Sequence, residues 1–435
     1  MFPKTQTTIL QNNSPLIIFA FFSKRSKHKA GGGFAGLWAA MAAAKRVGET
    51  SGSPDIAITL VNRDEWHAIR VRNYETDISD ARLPLRPLLK QAGVDLVIGE
   101  VTNIDTEQCA VTVSSIGDAD KKRRTLRWDR LVLAAGSALV RPDIPGLAEF
   151  GFSIDTWDDA DRLNTHLQEL RDTVADSSVL IVGSGMTGVE LACEMPARLR
   201  ELGIEQPRVI LADSADEIGS SLGDEAQPVI SDAFITLGIE PLPSVNIVGI
   251  ERDGARLGGG SRIDAATIVW TAGVRPSGLA AMVAGERAPD GRLRVDSCMR
   301  VAALDGVFAA GDIAAAPTED GNETVMSCQH GRPMGRTAGY NAACDLIGSD
   351  MISLRFNPYV TCIDLGPFGA LLTAGYDRRL VETGEAIKER KRKTNRIDIY
   401  PPKPATRTSL MEAASPVVQP KRSVNLVKRI TDEGP

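Results

Sequence analysis

The chain has 435 residues, which is enough for about three domains, and its 43% hydrophobic and 24% charged residues are typical of a globular protein with a large core. Aromatic residues make up 5% and the net charge is −6, which argues against an aromatic platform for single-stranded nucleic acid and against a generally basic nucleic-acid binder. Six cysteines without a CxxC pair and only four histidines argue against a disulfide framework, a zinc site or a His-rich metal centre.

The N-terminal segment, residues 1–30, is atypical. Its apolar run at 16–22 is much shorter than the roughly 20 residues that span a membrane, and the basic cluster that follows it is in the wrong order for a signal peptide. Two interpretations remain open. Either this run is a buried strand that a polar insertion of eight residues separates from the glycines at 31–36, or the strand is missing and residues 1–29 are a foreign or misread N-terminus.

An internal repeat is the strongest signal in the chain. Residues 31–36 (GGGFAG) and 183–188 (GSGMTG) both read GxGxxG and open an Ala-rich segment typical of a helix. Each is followed later by an apolar run that ends in Ala-Gly, at 131–136 and at 268–273. The repeat predicts an α/β protein with two dinucleotide-binding domains.

The second copy has the better local context. The run at 178–182 (SVLIV) is typical of a buried parallel strand, and the glycines after it allow a tight turn, close approach of the pyrophosphate and close helix–strand packing. Asp213 ends the next predicted strand, where its carboxylate is expected to accept both ribose hydroxyls. Because no Lys or Arg follows at 214 or 215, the sequence favours NAD(H) over NADP(H).

In the first copy, the second strand is predicted at 56–61 and ends at Asn62-Arg63-Asp64. The acid expected at this point is therefore either replaced by Asn62 or displaced to Asp64.

The motifs resemble those of the pyridine nucleotide-dependent flavoprotein oxidoreductases over residues 31–345. The resemblance includes Gly311 and Asp312, and Asp312 stands where that family hydrogen-bonds the ribityl chain of the flavin. It implies two Rossmann-like domains, one for FAD and one for NADH, with a smaller C-terminal domain. The expected division is an FAD domain (31–150 plus 291–345), an inserted NADH domain (151–290) and a C-terminal interface or acceptor-side region with a basic tail (346–435).

Within that family the sequence most resembles the type II NADH dehydrogenases, on both fingerprints and on the segment that begins at Cys328-Gln329. The resemblance implies that a hydride passes from NADH to FAD and two electrons then pass to an acceptor, with a quinone as the first choice. The disulfide reductases are excluded, since residues 37–50 hold no cysteine, and Cys328 is expected to be a small packing residue.

Three alternatives stay open. In the first, the electron acceptor is a small redox protein. In the second, the chain is an NADH-binding flavoprotein with little turnover that resembles the apoptosis-inducing factors. In the third, the interrupted or missing first strand at residues 1–30 prevents FAD binding.

The candidate catalytic residues are Glu190, which either faces the nicotinamide or lies on a helix surface, and Gln329. Backbone N–H groups near Gln329 and His330 are expected at the positive end of a helix beside the reduced flavin, and His67 is expected to be structural. The candidate cofactor-binding residues are Gly31, Gly33, Phe34, Ala35, Gly36, Asn62, Arg63, Val101, Ala135, Gly136, Gly183, Gly185, Thr187, Gly188, Asp213, Ala272, Gly273, Gly311, Asp312 and Gln329.

The C-terminal region predicts two strands, at 358–366 and 369–373, joined by a Gly-Pro turn. A cationic stretch at 387–396 and an amphipathic turn at 420–430 follow. The cationic stretch is either a solvated face or a patch attracted to anionic lipid, worth about 1 kcal/mol per basic residue. The remaining expectations are a cytoplasmic location, with or without peripheral contact to the inner face of a membrane, and a homodimer.

Overall fold

A computed structural model of the chain describes residues 8–9, 16–20, 33–50, 55–116, 122–173 and 177–416. Its helices are α1 Phe34–Gly48, α2 Leu85–Ala92, α3 Leu147–Phe150, α4 Trp157–Thr173, α5 Met186–Glu201, α6 Gln227–Leu237, α7 Cys328–Ile347, α8 Glu385–Lys393 and α9 Arg407–Ala413.

The first sheet is wholly parallel, and its strands are in the spatial order Val307–Ala309, Arg130–Leu133, Leu16–Ala20, Ala57–Asn62 and Asp95–Ile98. The short strand Leu16–Ala20 takes the central place, between two strands that each pair with it in parallel. This register supports the interpretation of a first strand followed by a polar insertion. The strand Leu16–Ala20 therefore places part of the N-terminal segment, residues 1–30, in the domain that we expected to begin at residue 31. Residues 21–32, and with them Gly31, lie outside the described part of the chain.

The second sheet repeats the same arrangement. Its parallel strands are in the order Gly151–Phe152, Thr267–Trp270, Val179–Val182, Val209–Ala212 and Ile239–Leu242. The three inner strands are buried along their whole length, as a sheet covered on both faces requires. The strands predicted within 178–182, 207–213 and 268–273 are confirmed.

Smaller sheets and strand pairs, most of them antiparallel, complete the two halves. One pair, Ser137–Leu139 with Val274–Pro276, joins the chain just after the first Ala-Gly to the chain just after the second. The other pieces are a sheet of Thr8–Ile9, Arg123–Arg127, Ala110–Ser114 and Glu100–Asp105, a sheet of Ile247–Glu251, Gly254–Leu257 and Arg262–Asp264, the pair Trp66–Ala68 with Arg82–Pro84, and the parallel pair Leu293–Arg294 with Ala314–Ala315.

Helices α1 and α7 lie unusually close together. A Cβ at Gly335 would overlap the carbonyl oxygen of Ala35, and a Cβ at Gly339 would overlap that of Ala39. The glycines of α7 therefore allow backbone-to-backbone packing against the Ala-rich face of α1, and this packing fixes the two helix N-termini side by side.

The C-terminal region contains the antiparallel strands Val360–Asp364, Ala370–Ala374 and Arg379–Thr383, with a turn at Gly366–Phe368. The first two strands are confirmed, whereas the third was not predicted. Helix α8 follows and runs into one π-helical turn at Thr394–Asp398. The amphipathic turn expected at 420–430 lies outside the described residues. Across the residues that are described, every helix is too short or too polar to cross a bilayer.

The cationic stretch is not uniformly solvated. Lys388 and Lys391 of α8 are buried against the second half of the molecule, while Arg392, Lys393 and Arg396 are exposed. The expectation of a solvated face or lipid-facing patch is therefore wrong for Lys388 and Lys391. Their side chains lie within reach of buried carboxylates that compensate their charge, as the site geometry below shows.

Candidate functional site

The N-terminal turns of α1, α5 and α7 open on one cavity of about 1680 Å³, which the C-terminal region closes on another side. Single small-molecule pockets are usually about 300–1,000 Å³, so this cavity has room for more than one ligand. The candidates that line it are Gly33, Phe34, Ala35, Arg63, Ala135, Gly136, Thr187, Glu190, Gly311, Asp312 and Gln329.

The first fingerprint leaves open space where a phosphate is expected. Among the described residues, a Cβ at Gly33 or at Gly136 would meet no atom within 4 Å. Gly33 is the N-cap of α1, whose first N–H groups and positive dipole end favour an anion. Gly36 is buried within α1 and serves packing rather than contact with the cavity. The glycines thus fit a dinucleotide pyrophosphate.

Asp312 belongs to a polar network on the cavity wall. Its carboxylate accepts a hydrogen bond of 2.6 Å from the Ser137 hydroxyl, which in turn accepts one of 2.9 Å from Arg70. Arg70 also pairs with Asp155. The Arg70–Asp155 ion pair and the Ser137 hydroxyl hold the Asp312 carboxylate in place. The preceding residue, Gly311, has a left-handed φ of 76°. No sequence pattern pointed to Arg70 or Asp155.

Asn62 and Val101 do not line the cavity. The Asn62 side chain is buried and its amide donates to the carbonyl oxygen of Asp64 at 2.7 Å. Asp64 lines the cavity next to Arg63. Of the two alternatives, Asp64 rather than Asn62 is therefore in position to contact a ligand in the cavity. The Val101 side chain is fully buried in the core, which leaves only its backbone for a cofactor. Burial lowers the pKa of Arg63.

In the second fingerprint each glycine has its own physical reason. Gly183 has a left-handed φ of 105°, and a Cβ there would lie 2.6 Å from the Cα of Ala272. A Cβ at Gly185 would meet no described atom within 4 Å, whereas one at Gly188 would overlap the carbonyl oxygen of Gly183. The first glycine makes the turn, the second leaves room for a phosphate and the third lets α5 pack on the strand.

Asp213 is held as an ionised acceptor at the end of its strand. Its carboxylate accepts hydrogen bonds from the Ser184 N–H (2.5 Å) and hydroxyl (2.8 Å) and from the Ala215 N–H (2.9 Å). Burial alone would raise the pKa of Asp213, but these hydrogen bonds outweigh it and the pKa lies below its ordinary value. Gly273, just after the last strand of the sheet, has a left-handed φ of 78°. That Asp213 contacts a ribose remains a prediction.

Glu190 is buried, so the interpretation as a plain surface residue of a helix is wrong. Its carboxylate pairs with Lys391 of α8 and accepts a hydrogen bond of 3.1 Å from the Asp364 N–H. Burial raises the pKa of Glu190, against the opposing effect of Lys391. Glu190 also lines the cavity, and its contact with a nicotinamide remains a prediction.

The Glu190–Lys391 pair is part of a larger buried cluster. Lys388, one turn before Lys391, pairs with Asp364 at 2.8 Å and with Glu194 at 3.3 Å. The Tyr74 hydroxyl donates to Asp364 at 3.2 Å. Helix α8 is therefore fixed to α5 by compensated charges.

Gln329 does not direct its amide at the expected flavin. The amide nitrogen donates to the Pro358 carbonyl oxygen at 3.0 Å, and the amide oxygen accepts the Val360 N–H at 3.4 Å. The side chain thus ties α7 to the C-terminal region. The first turn of α7 lines the cavity at Cys328 and Gln329, and the electrostatic role of its backbone remains a prediction.

The His330 N–H is not one of the available donors, because it donates to the hydroxyl of the N-cap residue Ser327 at 3.3 Å. The His330 ring is fully buried, and burial lowers its pKa to about 4. His67 is likewise fully buried, edge-on to Phe34 at a ring separation of 5.1 Å. Burial also raises the pKa of the Cys328 thiol.

The geometry defines a class first: a protein with two dinucleotide-binding fingerprints whose helices, α1 and α5, open on one cavity. Residues 30–335 match the pyridine nucleotide-disulphide oxidoreductase family, and the chain belongs to it. The predictions of an oxidoreductase enzyme, of FAD and NADH as cofactors and of the two-domain α/β fold are confirmed.

The NADH dehydrogenase-like protein Rv1812c of Mycobacterium tuberculosis is 45% identical over 402 residues, which cover 90% of this chain and 98% of that protein. The type II NADH:quinone oxidoreductase of Staphylococcus aureus is 26% identical over 367 residues, which cover 77% of this chain and 86% of that protein. The fold also matches NDH2 from Plasmodium falciparum in complex with NADH, with a TM-score of 0.69 and 12% identity over 93% of this chain and 98% of that chain.

Proposed function

We propose that the chain oxidises NADH and passes two electrons to a quinone. The observation that carries this proposal is the shared cavity, since the first turns of α1 and α5 and the N-terminus of α7 all open into it. When bound there, FAD supplies the two-electron chemistry between the nicotinamide and the acceptor.

Each fingerprint binds one of the two dinucleotides, the first FAD and the second NADH. In the proposed arrangement, Gly33 and the first N–H groups of α1 hold the FAD pyrophosphate, and Asp312 accepts hydrogen bonds from the ribityl chain. Gly185 leaves room for the NADH pyrophosphate, and Asp213 accepts the ribose hydroxyls. The division into an FAD domain, an inserted NADH domain and a C-terminal region is part of the same proposal.

The first turn of α7 supplies electrostatic stabilisation. Its backbone N–H groups at Cys328 and Gln329 lie at the positive end of a 20-residue helix and face the cavity. Oriented N–H groups in a site that excludes water stabilise negative charge without reorganisation. We assign them to the ring edge that becomes negative on reduction.

Proton supply is assigned to Glu190 and Lys391. Reduction of a quinone by NADH consumes one proton beyond the hydride, according to NADH + H⁺ + quinone → NAD⁺ + quinol. The two side chains form a buried acid–base pair on the cavity wall, where either can hold that proton. The pair thus places a proton within the same cavity that takes the acceptor.

Relatives support the choice of acceptor, since one of them is a type II NADH:quinone oxidoreductase that this chain covers over 86% of its length. The test is NADH oxidation by the purified holoprotein with a short-chain quinone, compared with a small iron–sulfur protein. We expect turnover and ping-pong kinetics with the quinone. Turnover only with the iron–sulfur protein contradicts the quinone assignment, and a long-lived reduced complex with no turnover indicates a binding protein instead.

The location is proposed to be cytoplasmic, with weak contact to the inner face of a membrane. The outward basic residues of α8 and its extension already have partners, since Arg392 pairs with Glu385, Lys393 with Asp398 and Arg396 with Glu75. Each therefore contributes less than the roughly 1 kcal/mol of an unpaired basic residue at anionic lipid. Co-sedimentation with anionic vesicles at low and at physiological salt tests the contact, and analytical ultracentrifugation tests the homodimer.

A further inference from the structure

Two arginines of α7 form a cationic feature that the roles above do not use. Arg332 and Arg336 are one helical turn apart, and both line the cavity. Their guanidinium carbons lie 5.0 Å and 4.5 Å from the ring centroid of Trp38, a fully buried residue of α1. The indole holds both guanidiniums on the same side of α7.

Among the described residues, the charge of this pair is not matched by an ion pair: the Asp398 carboxylate favours the charged form of Arg332 but is paired with Lys393. Within the described ranges, neither guanidinium has a carboxylate within ion-pair distance, and the buried Nε atoms of both lack a hydrogen-bond partner. Arg332 donates instead to the neutral carbonyl oxygen of Asp398 at 3.0 Å. Burial and repulsion from Arg332 lower the pKa of Arg336 to about 9, so Arg336 remains cationic at neutral pH, and burial also lowers the pKa of Arg332.

Such an arrangement is unfavourable without a ligand. Like charges four residues apart on a helix repel each other, and a buried charge without a partner costs free energy. The terminal nitrogens of a guanidinium can bind a carboxylate with two parallel hydrogen bonds, and both arginines line the cavity. The pair therefore fits an anion that enters the cavity.

The position of the pair indicates which ligand carries that anion. Helix rise places Arg332 about 4.5 Å and Arg336 about 10 Å beyond Gln329 along α7. Arg332 contacts the C-terminal region through the Asp398 carbonyl oxygen, and Ile399 and Ala413 of that region line the same cavity. The arginines thus lie beside the region that we expect to form the acceptor side, and within about 10 Å of the first turn of α7.

We propose that Arg332 and Arg336 form an anion subsite for the electron acceptor, and that the acceptor is an aromatic molecule which carries a carboxylate or a similar anionic group. The subsite rests on the proposed function, because it supposes that an acceptor enters this cavity. It distinguishes the acceptor from a purely apolar quinone.

A redox-inactive pair of probes tests the subsite without turnover. Calorimetry would measure the binding of 2-naphthoate and of its neutral analogue 2-naphthamide to the oxidised holoprotein. We expect the naphthoate to bind at least about tenfold more tightly, as a charge-assisted hydrogen bond implies. Arg336→Gln and Arg332→Gln should remove most of this preference, and Arg336→Lys should restore part of it.

The matched control is Arg300→Gln, since Arg300 is 54% exposed and pairs with Asp296 away from the cavity. It should keep the preference for naphthoate. Equal binding of both probes by the wild type overturns the proposal. Loss of flavin from Arg336→Gln and Arg332→Gln also overturns it, because the arginines would then hold the phosphates of the cofactor itself.

Turnover separates this proposal from the proposed function. The readout is the ratio of kcat/KM for a sulfonated naphthoquinone to that for neutral menadione, with NADH as donor. We expect this ratio to fall about tenfold in Arg336→Gln and to stay constant in Arg300→Gln. Failure to reduce either quinone contradicts the proposed function, whereas reduction of both with an unchanged ratio in Arg336→Gln contradicts only the subsite.

Discussion

Replacement of Lys391 by Met should strongly destabilise the protein. The side chains of Lys391 and Glu190 are 8% and 7% exposed, so the variant leaves a carboxylate buried without its cation. Breaking a buried pair from one side costs about 3–5 kcal/mol, which for a chain of 435 residues lowers the Tm by roughly 3–5 °C. Thermal unfolding followed by circular dichroism, with FAD in excess, measures the shift.

Lys393→Met is the control on the same helix, since Lys393 is 61% exposed and its pair with Asp398 is worth about 1 kcal/mol or less. The double variant Glu190→Gln/Lys391→Met should be more stable than the sum of the two single changes implies, by about 1–3 kcal/mol. Additive effects of the two single changes would refute the conclusion that Glu190 and Lys391 form a stabilising buried ion pair. A Lys391→Met variant with the same Tm as Lys393→Met would refute it as well.

Three further expectations concern other parts of the site. Gly335→Ala should prevent recovery of folded holoprotein, because its Cβ would overlap a carbonyl oxygen of α1, whereas Gly331→Ala, with no described atom nearer than 3.8 Å, should melt as the wild type does. Since the pKa of His330 is lowered from 6.5 to about 4 in the folded state, the unfolded chain takes up a proton first as the pH falls through this range. The wild type should therefore lose about 3 kcal/mol of stability, relative to His330→Gln, between about pH 6.5 and 4 in denaturant unfolding. Asp213→Asn should raise the KM for NADH about tenfold and leave the flavin content unchanged, while Asp312→Asn should lower the flavin content measured by absorbance.

The parallel sheets could be predicted because their strands are short runs of apolar residues bounded by glycine turns. The second fingerprint is the clearest case, since Val179–Val182, the glycines and Asp213 all follow in the expected order. The first strand was ambiguous for a physical reason. Its register depends on pairing with Ala57–Asn62 and Arg130–Leu133, and a polar insertion separates it in sequence from the glycines that it serves.

The direction of the charged C-terminal side chains could not be predicted. A run of Lys and Arg shows charge but not which residues face inward, and the partners of Lys391 and Lys388 are far away in sequence, at Glu190 and Glu194 on α5. Arg70 was missed for the same reason, because its partner Asp155 comes from another part of the chain.

Gln329 illustrates a second limit of prediction from sequence, namely the contacts that a side chain makes. Its position at the start of α7 was predicted, but its amide is used by the Pro358 carbonyl and the Val360 N–H, which belong to the region where resemblance to the family ends. Arg332 and Arg336 gave no signal, since their i, i+4 spacing acquires meaning only when Trp38 of another helix lies beneath them.

The most direct test of two dinucleotides meeting in one cavity is anaerobic reduction of the purified protein by NADH, followed through the visible absorbance of its flavin. We predict a yellow protein that one equivalent of NADH bleaches and that one equivalent of quinone restores. A protein that stays colourless with excess FAD, or a yellow protein that NADH does not bleach without oxygen, would contradict the shared cavity as the site of electron transfer.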